Sequence, residues 1–184
     1  MPDEKEWSKA KSAIYSWVWR NPRSNRIVVN VAGLGTHDHT LDVGCGPGAA
    51  VRQAAAAVSR AVGADRSQSM VDIARRRSAE LANVEFAVGR AEDLPFPDHA
   101  FTVVWSAHSF HHWTDRSAGL EETKRVLAPG GRLLILETRT TGEHGLSLDR
   151  ALDLSAQLND LGFVDTSVDR HADNYVVGGR RRET

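Results

Sequence analysis

The sequence predicts an α/β fold in which helices cover both faces of a largely parallel β-sheet. Short apolar runs alternate with helix-like segments along most of the chain, as in parallel sheets whose strands are buried on both faces. A glycine-rich stretch, GCGPG (44–48), follows the first apolar run. Glycine at every second position weakens a strand, so this stretch is expected to be a loop whose backbone approaches a ligand closely.

Length, composition and charge narrow the class of protein. With 184 residues, 41% of them hydrophobic and 26% charged, the chain is expected to form one globular domain, with N-terminal helices over 1–36 flanking a core over 40–184. A formal net charge of −1 gives no reason to expect nucleic acid or a membrane surface as a partner. The single cysteine, Cys45, excludes an intramolecular disulfide and fits a cytoplasmic location.

The predicted elements follow one another in a regular order. Two helices, over 5–20 and 21–35, precede the first strand, and the first helix has an aromatic side formed by Trp7, Tyr15, Trp17 and Trp19. The further strands of the predicted core are 61–65, 84–89, 101–106 and 132–137. The intervening helices are predicted over 48–60, 67–81, 115–127 and 146–162. Two last strand-like runs, 163–171 and 174–180, predict an antiparallel pair.

The glycine loop lies at the carboxyl end of the first strand, where parallel sheets bind ligands. It is not a P-loop, because no Gly-Lys-Ser/Thr follows. Gly44, Gly46 and Ala49 match the dinucleotide fingerprint G-x-G-x-x-G/A, but that match leaves Asp42 and Gly48 without a role.

The full pattern, Asp-x-Gly-x-Gly-x-Gly, resembles the first motif of the class I S-adenosylmethionine-dependent methyltransferases, in particular the small-molecule, type 11-like family. The resemblance continues in the same order through VGAD, GRAEDLPFPDHAFTVVWSAHSFHHW, RVLAPGGRLLILE and GFVDTSVDRHADNYVVGGRR. It implies a Rossmann-like three-layer sandwich with a seven-stranded, mostly parallel sheet of order 3-2-1-4-5-7-6, in which strand 7 is antiparallel.

The resemblance also implies S-adenosylmethionine as the cofactor. The implied cofactor-binding residues are Asp42, Gly44, Cys45, Gly46, Gly48, Asp65, Arg66, Met70, Ala91, Glu92, Ser106 and Ala107. Asp42 would hold the glycine loop through backbone amides, and Met70 would lie against adenine or pack in the core. Asp65 would bind ribose hydroxyls or cap the following helix. Arg90 stands where relatives usually carry aspartate, so Glu92 or a backbone carbonyl would have to accept from the adenine amino group.

The stretch WSAHSFHHW (105–113) follows the fourth strand, where the resemblance places the methyl group. His111 is the first candidate for a base or an acceptor-orienting group and His108 the second, although both could simply pack against neighbouring tryptophans. The imidazoles of HDH (37–39) and HSFHH could instead bind a metal, but the sequence places no acidic ligand next to HSFHH, so no metal is expected.

The expected reaction is in-line transfer of a methyl group to a small or medium-sized metabolite. A catalytically silent cofactor-binding or interaction protein and, less favoured, a nicotinamide-dependent oxidoreductase are the alternatives. Only 138–147 separates the fifth strand from the next helix. Cover for the acceptor would therefore come from the aromatic N-terminal helix, from a second subunit in a homodimer, or from a bulky acceptor itself.

Overall fold

The computed structural model describes residues 22–183, which form one seven-stranded sheet between helices. The strand order is β3-β2-β1-β4-β5-β7-β6, and β7 is antiparallel to both of its neighbours, as the resemblance implied. The strands are β1 His39–Val43, β2 Arg60–Asp65, β3 Val84–Val88, β4 Phe101–Ala107, β5 Leu127–Thr138, β6 Phe163–His171 and β7 Asn174–Arg181.

Five helices and a short 3-10 helix connect these strands within the described part of the chain. They are α1 Pro22–Val31, α2 Ala49–Ala54, α3 Gln68–Arg77, the 3-10 helix Phe110–His112, α4 Arg116–Val126 and α5 Leu148–Asp160. The predicted helix over 5–20, with its aromatic side, lies outside the described residues. The assignment of residues 1–184 to one domain therefore stays a prediction.

Two element boundaries differ by five or more residues from the sequence prediction. Helix α2 ends at Ala54, well before residue 60, because the chain turns there and the Asn83 side chain donates to Ala55 O and Val58 O at 2.9 and 3.0 Å. Strand β5 begins at Leu127, because Ala-Pro-Gly-Gly continues the strand through a register shift against β4 instead of forming a separate loop.

The strands distribute their side chains between two apolar layers. Leu41 and Val104 lie in a cluster with Leu120 of α4 and Leu154 of α5. On the opposite face, Trp105 lies in a second cluster with residues of α1 and α2. Neighbouring strand residues thus point to opposite helix layers, as the pleat of a strand requires. None of the helices in the described residues is long and apolar enough to cross a membrane.

Candidate active site

The glycine loop is anchored on the end of β2. Gly44, Gly46 and Gly48 have φ angles of 80°, 51° and 76°, a region that side chains rarely adopt. The amides of Gly44 and Cys45 donate to Ala64 O at 2.8 and 3.0 Å. The Gly46 amide donates to Asp65 Oδ2 at 2.8 Å. The loop therefore follows the carboxyl end of the sheet with its backbone held in a fixed curve.

The Asp65 side chain binds this loop, whereas among residues 22–183 no hydrogen bond is found from a loop amide to the Asp42 side chain, for which the resemblance implied that role. Asp42 lies inside β1, and since Leu41 and Val43 point towards α4 and α5, its side chain points to the opposite face of the sheet. The pKa of Asp42 is raised to about 7: burial is the main cause, the Trp105 indole opposes the rise, and the charge of Asp65 adds to it. The Trp105 indole N–H nevertheless makes no hydrogen bond of normal geometry within residues 22–183.

Both carboxyl oxygens of Asp65 accept backbone hydrogen bonds. Oδ2 accepts from Gly46, and Oδ1 accepts from the Ser67 amide at 2.9 Å, directly before α3. Burial raises the pKa of Asp65, and these two hydrogen bonds oppose that rise. Asp65 thus joins the glycine loop to the start of α3. This contact is close to the helix-capping role, which was one of the two roles expected for Asp65. Each oxygen has a further lone pair, so ribose binding stays a prediction.

Glu92 is held by backbone amides of the segment that precedes α4. Its Oε1 accepts from Thr114 N and Asp115 N at 2.7 and 3.0 Å, and its Oε2 lies 3.5 Å from Arg90 Nε. Arg90 in turn donates to Thr114 Oγ1 at 3.0 Å. The Glu92 carboxylate thus binds the segment before α4, and its Oε2 has lone pairs left, so an adenine acceptor in Glu92 or in a backbone carbonyl stays a prediction.

The other predicted cofactor residues lie along the same edge of the sheet. Arg66 is exposed at the end of β2, whereas Met70 and Ala91 are buried. Ser106 and Ala107 end β4, and the Ser106 hydroxyl is buried with no hydrogen-bond partner among the described residues.

His108 occupies a strained position between the ends of β4 and β5. Its φ is 54°, its amide donates to Leu136 O at 2.8 Å, and its Nδ1 lies 3.3 Å from Thr138 Oγ1. Its Nε2 is buried and has no hydrogen-bond partner within residues 22–183. Burial lowers the pKa of His108, so the neutral imidazole is favoured.

His111 pairs with Glu137, a residue that the sequence analysis missed. His111 Nδ1 lies 2.8 Å from Glu137 Oε2, and the His111 amide donates to Oε1 at 3.3 Å. The two side chains are only 7% and 1% exposed. An ionised Glu137 favours the tautomer with the proton on Nδ1, which leaves the lone pair of Nε2 free to accept a proton. A charged residue at the end of the apolar run RLLILE was the signal in the sequence.

Two further imidazoles lie against His111. The ring centroids of His111 and His112 are 3.9 Å apart, and His144, from the loop between β5 and α5, lies 5.5 Å from His111. In the part of the chain that the structure describes, no three or more His, Cys, Asp or Glu side chains are arranged to hold a metal ion.

Much of this site lies within the part of the chain that matches a known family. The sequence model of a family described as "Methyltransferase domain" matches residues 41–135, slightly more than half of the chain. The chain belongs to this methyltransferase family. The match covers the glycine loop, the histidines after β4 and most of β5. The family implies S-adenosylmethionine as the cofactor.

Curated relatives of this methyltransferase chain include enzymes of small-molecule biosynthesis. The ubiquinone/menaquinone biosynthesis C-methyltransferase UbiE of Teredinibacter turnerae is 32% identical over 156 residues, which cover 82% of this chain and 61% of UbiE. The 27-O-demethylrifamycin SV methyltransferase of Amycolatopsis mediterranei is 37% identical over 61% of this chain and 44% of its own length. The chain thus spans about half the length of the curated relatives it matches.

Solved structures share the fold at lower identity. A SAM-dependent methyltransferase from Aquifex aeolicus superimposes with a TM-score of 0.74 at 22% identity, covering 97% of this chain and 100% of that chain. The [4+2]-cyclase SpnF superimposes with a TM-score of 0.75 at 23% identity, covering 89% and 82%. The fold is therefore the methyltransferase fold, and the chemistry has to be argued from the site itself.

The residues of this methyltransferase site fit S-adenosylmethionine. A Cβ atom placed on Gly46 would meet no atom within 4 Å, so the backbone of the loop is open to a ligand there. The buried Ser106 hydroxyl at the end of β4 can bind a ligand group, because no protein atom among residues 22–183 uses it. Such an unpartnered hydroxyl beside an open stretch of backbone is suited to the polar amino-acid portion of the cofactor.

Proposed function

We propose that this chain is an S-adenosylmethionine-dependent methyltransferase that methylates a proton-bearing atom, most simply a hydroxyl oxygen, of a small or medium-sized metabolite. The transfer would be an in-line displacement in which His111 takes the acceptor proton. The observation that carries this proposal is the buried His111–Glu137 pair, with Nδ1 and Oε2 2.8 Å apart, beside the glycine loop.

When bound, S-adenosylmethionine supplies an electrophilic methyl group on a sulfonium sulfur. The glycine loop, Asp65 and Arg66 would hold it on one side of the site. Met70, Ala91, Ser106 and Ala107 would contact it on the other. The protein's main tasks are then to place the acceptor and to exclude water, and positioning alone can lower a barrier by roughly 7–11 kcal/mol.

Glu137 gives His111 a defined orientation and tautomer. Its carboxylate binds both Nδ1–H and the His111 backbone amide, so the ring cannot rotate without breaking the Nδ1 contact. Nε2 is left to accept the acceptor proton as the new bond forms, and Glu137 stabilises the imidazolium that results. An acceptor that has no proton to lose would gain nothing from this arrangement.

The test compares Glu137→Gln and His111→Asn with His37→Asn. His37 is a control that lies before β1, at the amino ends of the parallel strands. S-adenosylhomocysteine release is measured with a panel of hydroxylated metabolites, and cofactor binding is measured by calorimetry with NAD as the negative control. We expect kcat to fall about 10- to 100-fold in Glu137→Gln and about 100-fold or more in His111→Asn. Binding of S-adenosylmethionine should stay within about threefold in all three proteins, because none of these side chains holds the glycine loop.

Two outcomes would contradict the proposal. Wild-type kcat in both variants would show that His111 is not the base. Cofactor binding without turnover of any acceptor in the panel would support the alternative of a silent cofactor-binding protein.

A further inference from the structure

Basic side chains from three segments lie around the outer side of His111, and a fourth, Arg66, is close enough for its charge to act on His112. Arg66 follows β2, His112 ends the 3-10 helix, Arg116 begins α4, and His144 comes from the loop after β5. The ring centroids of His112 and His144 are 6.2 Å apart, and Arg116 donates to His111 O at 3.5 Å. These four side chains are called the basic rim below.

The charges of the rim act on one another. The pKa of His112 is lowered by partial burial and then by the neighbouring charges of His111, Arg66 and His144, with Glu137 opposing. His112 thus lies among positive groups that make it harder to protonate.

The acidic groups nearby are committed to other partners or lie outside the rim. Glu137 binds His111, and both oxygens of Asp65 accept backbone amides. Asp115 caps α4 by accepting from Ala118 N at 3.0 Å. Glu143 is exposed next to His144 in the same loop. None of the ion pairs found among residues 22–183 uses the Arg66 guanidinium.

The loop that carries His144 is a fixed structure in this protein. Arg150 donates to Thr141 O and Gly142 O at 2.8 and 2.7 Å, and it reaches Gly145 O at 3.4 Å. Gly145 passes so close to β5 that an added Cβ would lie 2.2 Å from Thr138 O. The short loop is therefore pinned to the end of β5, one residue beyond Glu137, and it presents His144 towards His111.

We propose that the basic rim binds an oxyanion of the methyl acceptor, a carboxylate or a phosphate, while the atom to be methylated faces His111. This inference rests on the proposed function for the position of the acceptor. The rim supplies imidazole and guanidinium N–H donors, and charge-assisted bonds from such donors to an oxyanion are short and strong. The rim would select acidic metabolites over neutral ones of the same shape.

The test uses inorganic phosphate and acetate as probes and needs no acceptor and no turnover. Histidine side-chain NMR signals of the cofactor-free protein are followed during titration with each anion, against sodium chloride at equal ionic strength. We expect the His112 and His144 signals to shift with at least one of the two anions beyond the chloride control. A response to phosphate alone assigns a phosphorylated acceptor, a response to acetate alone assigns a carboxylate, and a response to both assigns an oxyanion site of either kind.

Variants link the response to the rim. His144→Asn and Arg66→Gln should each weaken anion binding about 5- to 10-fold. Arg76→Gln, which changes an exposed arginine of α3 outside the rim, should weaken it less than twofold. Signals that move no further than in chloride, or equal binding in all variants, would overturn the inference.

The two proposals fail in different ways. Anion binding at the rim combined with no methyl transfer to any acceptor would contradict only the proposed function. Transfer to neutral acceptors that depends on Glu137, without anion binding, would contradict only the oxyanion site.

Discussion

At the scale of single residues, the buried Asp42 carboxyl makes the free energy of unfolding depend on pH. Its carboxyl is 3% exposed, and burial raises its pKa from an ordinary value of 3.8 to about 7. When folding raises the pKa of a carboxyl, the native state binds the proton more tightly than the unfolded state does. The native protein therefore has its full stability from this group below about pH 4 and loses it as the pH rises towards 7.

The first prediction concerns Asp42→Asn. The amide cannot ionise. The free energy of unfolding of the variant, relative to that of the wild type, should therefore rise by about 1–4 kcal/mol from pH 4.5 to pH 8, as expected from proton linkage. Urea unfolding at both pH values measures the change in the free energy of unfolding.

Asp98→Asn is the control with the opposite sign. Arg125, whose Nη1 lies 2.7 Å from Asp98 Oδ1, lowers the pKa of that exposed carboxyl. The wild type should therefore exceed Asp98→Asn in stability at pH 8, and the difference should shrink as the pH falls. If Asp42→Asn showed the same trend as Asp98→Asn, folding would lower the pKa of Asp42 instead of raising it.

At the scale of elements, the glycine loop and the histidine segment after β4 form one packed unit. A Cβ atom placed on Gly44 would lie 1.7 Å from Ser109 Oγ and 2.5 Å from Ser109 Cβ. Ser109 directly precedes the 3-10 helix that carries His111. The position of the proposed base therefore depends on the absence of a side chain in the loop that is expected to hold the cofactor.

The second prediction compares Gly44→Ala with Gly46→Ala. Both glycines have positive φ, 80° and 51°, so both variants should lose about 1 kcal/mol to backbone strain. Gly44→Ala should lose about 1–3 kcal/mol more, because its methyl group must displace Ser109, whereas Gly46 has free space around it. Denaturant unfolding without cofactor measures both, and the His111 NMR signals should shift in Gly44→Ala alone. Equal losses would mean that the two loops are not coupled.

How far the sequence predicted these elements depends on the range of the signal. The strand order and the glycine loop could be predicted, because apolar alternation and glycine spacing are local and the ordered motifs resemble a known family. Glu137 could not be assigned, since its partner is 26 residues away and only the register of β4 and β5 brings it under His111. The contacts of Asp42 and Glu92 in the structure differ from the expected ones, because a sequence does not show which backbone amides a carboxylate will bind.

At the scale of the whole molecule, Arg132 of β5 ties α1 and the segment before β1 to the middle of the sheet. Its Nε donates to Ala32 O at 2.7 Å across 100 residues of sequence, and Nη2 donates to Gly33 O at 3.0 Å. Nη2 also lies 2.8 Å from Asp38 Oδ2. The pKa of Asp38 is lowered: burial opposes this, but hydrogen bonds from Thr102, Gly35 and Arg132 prevail. One side chain thus binds the two carbonyls that directly follow α1 and a half-buried carboxylate.

The third prediction is that Arg132→Met lowers the free energy of unfolding by about 1–3 kcal/mol, because it removes the side-chain donor of the Ala32 and Gly33 carbonyls and one of the three donors of the Asp38 carboxylate. Arg180→Met is the matched control. Arg180 is the cross-strand neighbour of Arg132 on β7, but its side chain is 52% exposed and its contacts, to Gly130 O and Glu183, are 3.4 and 3.6 Å long. Its loss should stay within about 0.5 kcal/mol. Equal losses of unfolding free energy in the two variants would mean that Arg132 stabilises only the sheet surface. A larger loss in Arg132→Met, together with faster amide exchange in α1, would show that this arginine holds the helix against the sheet.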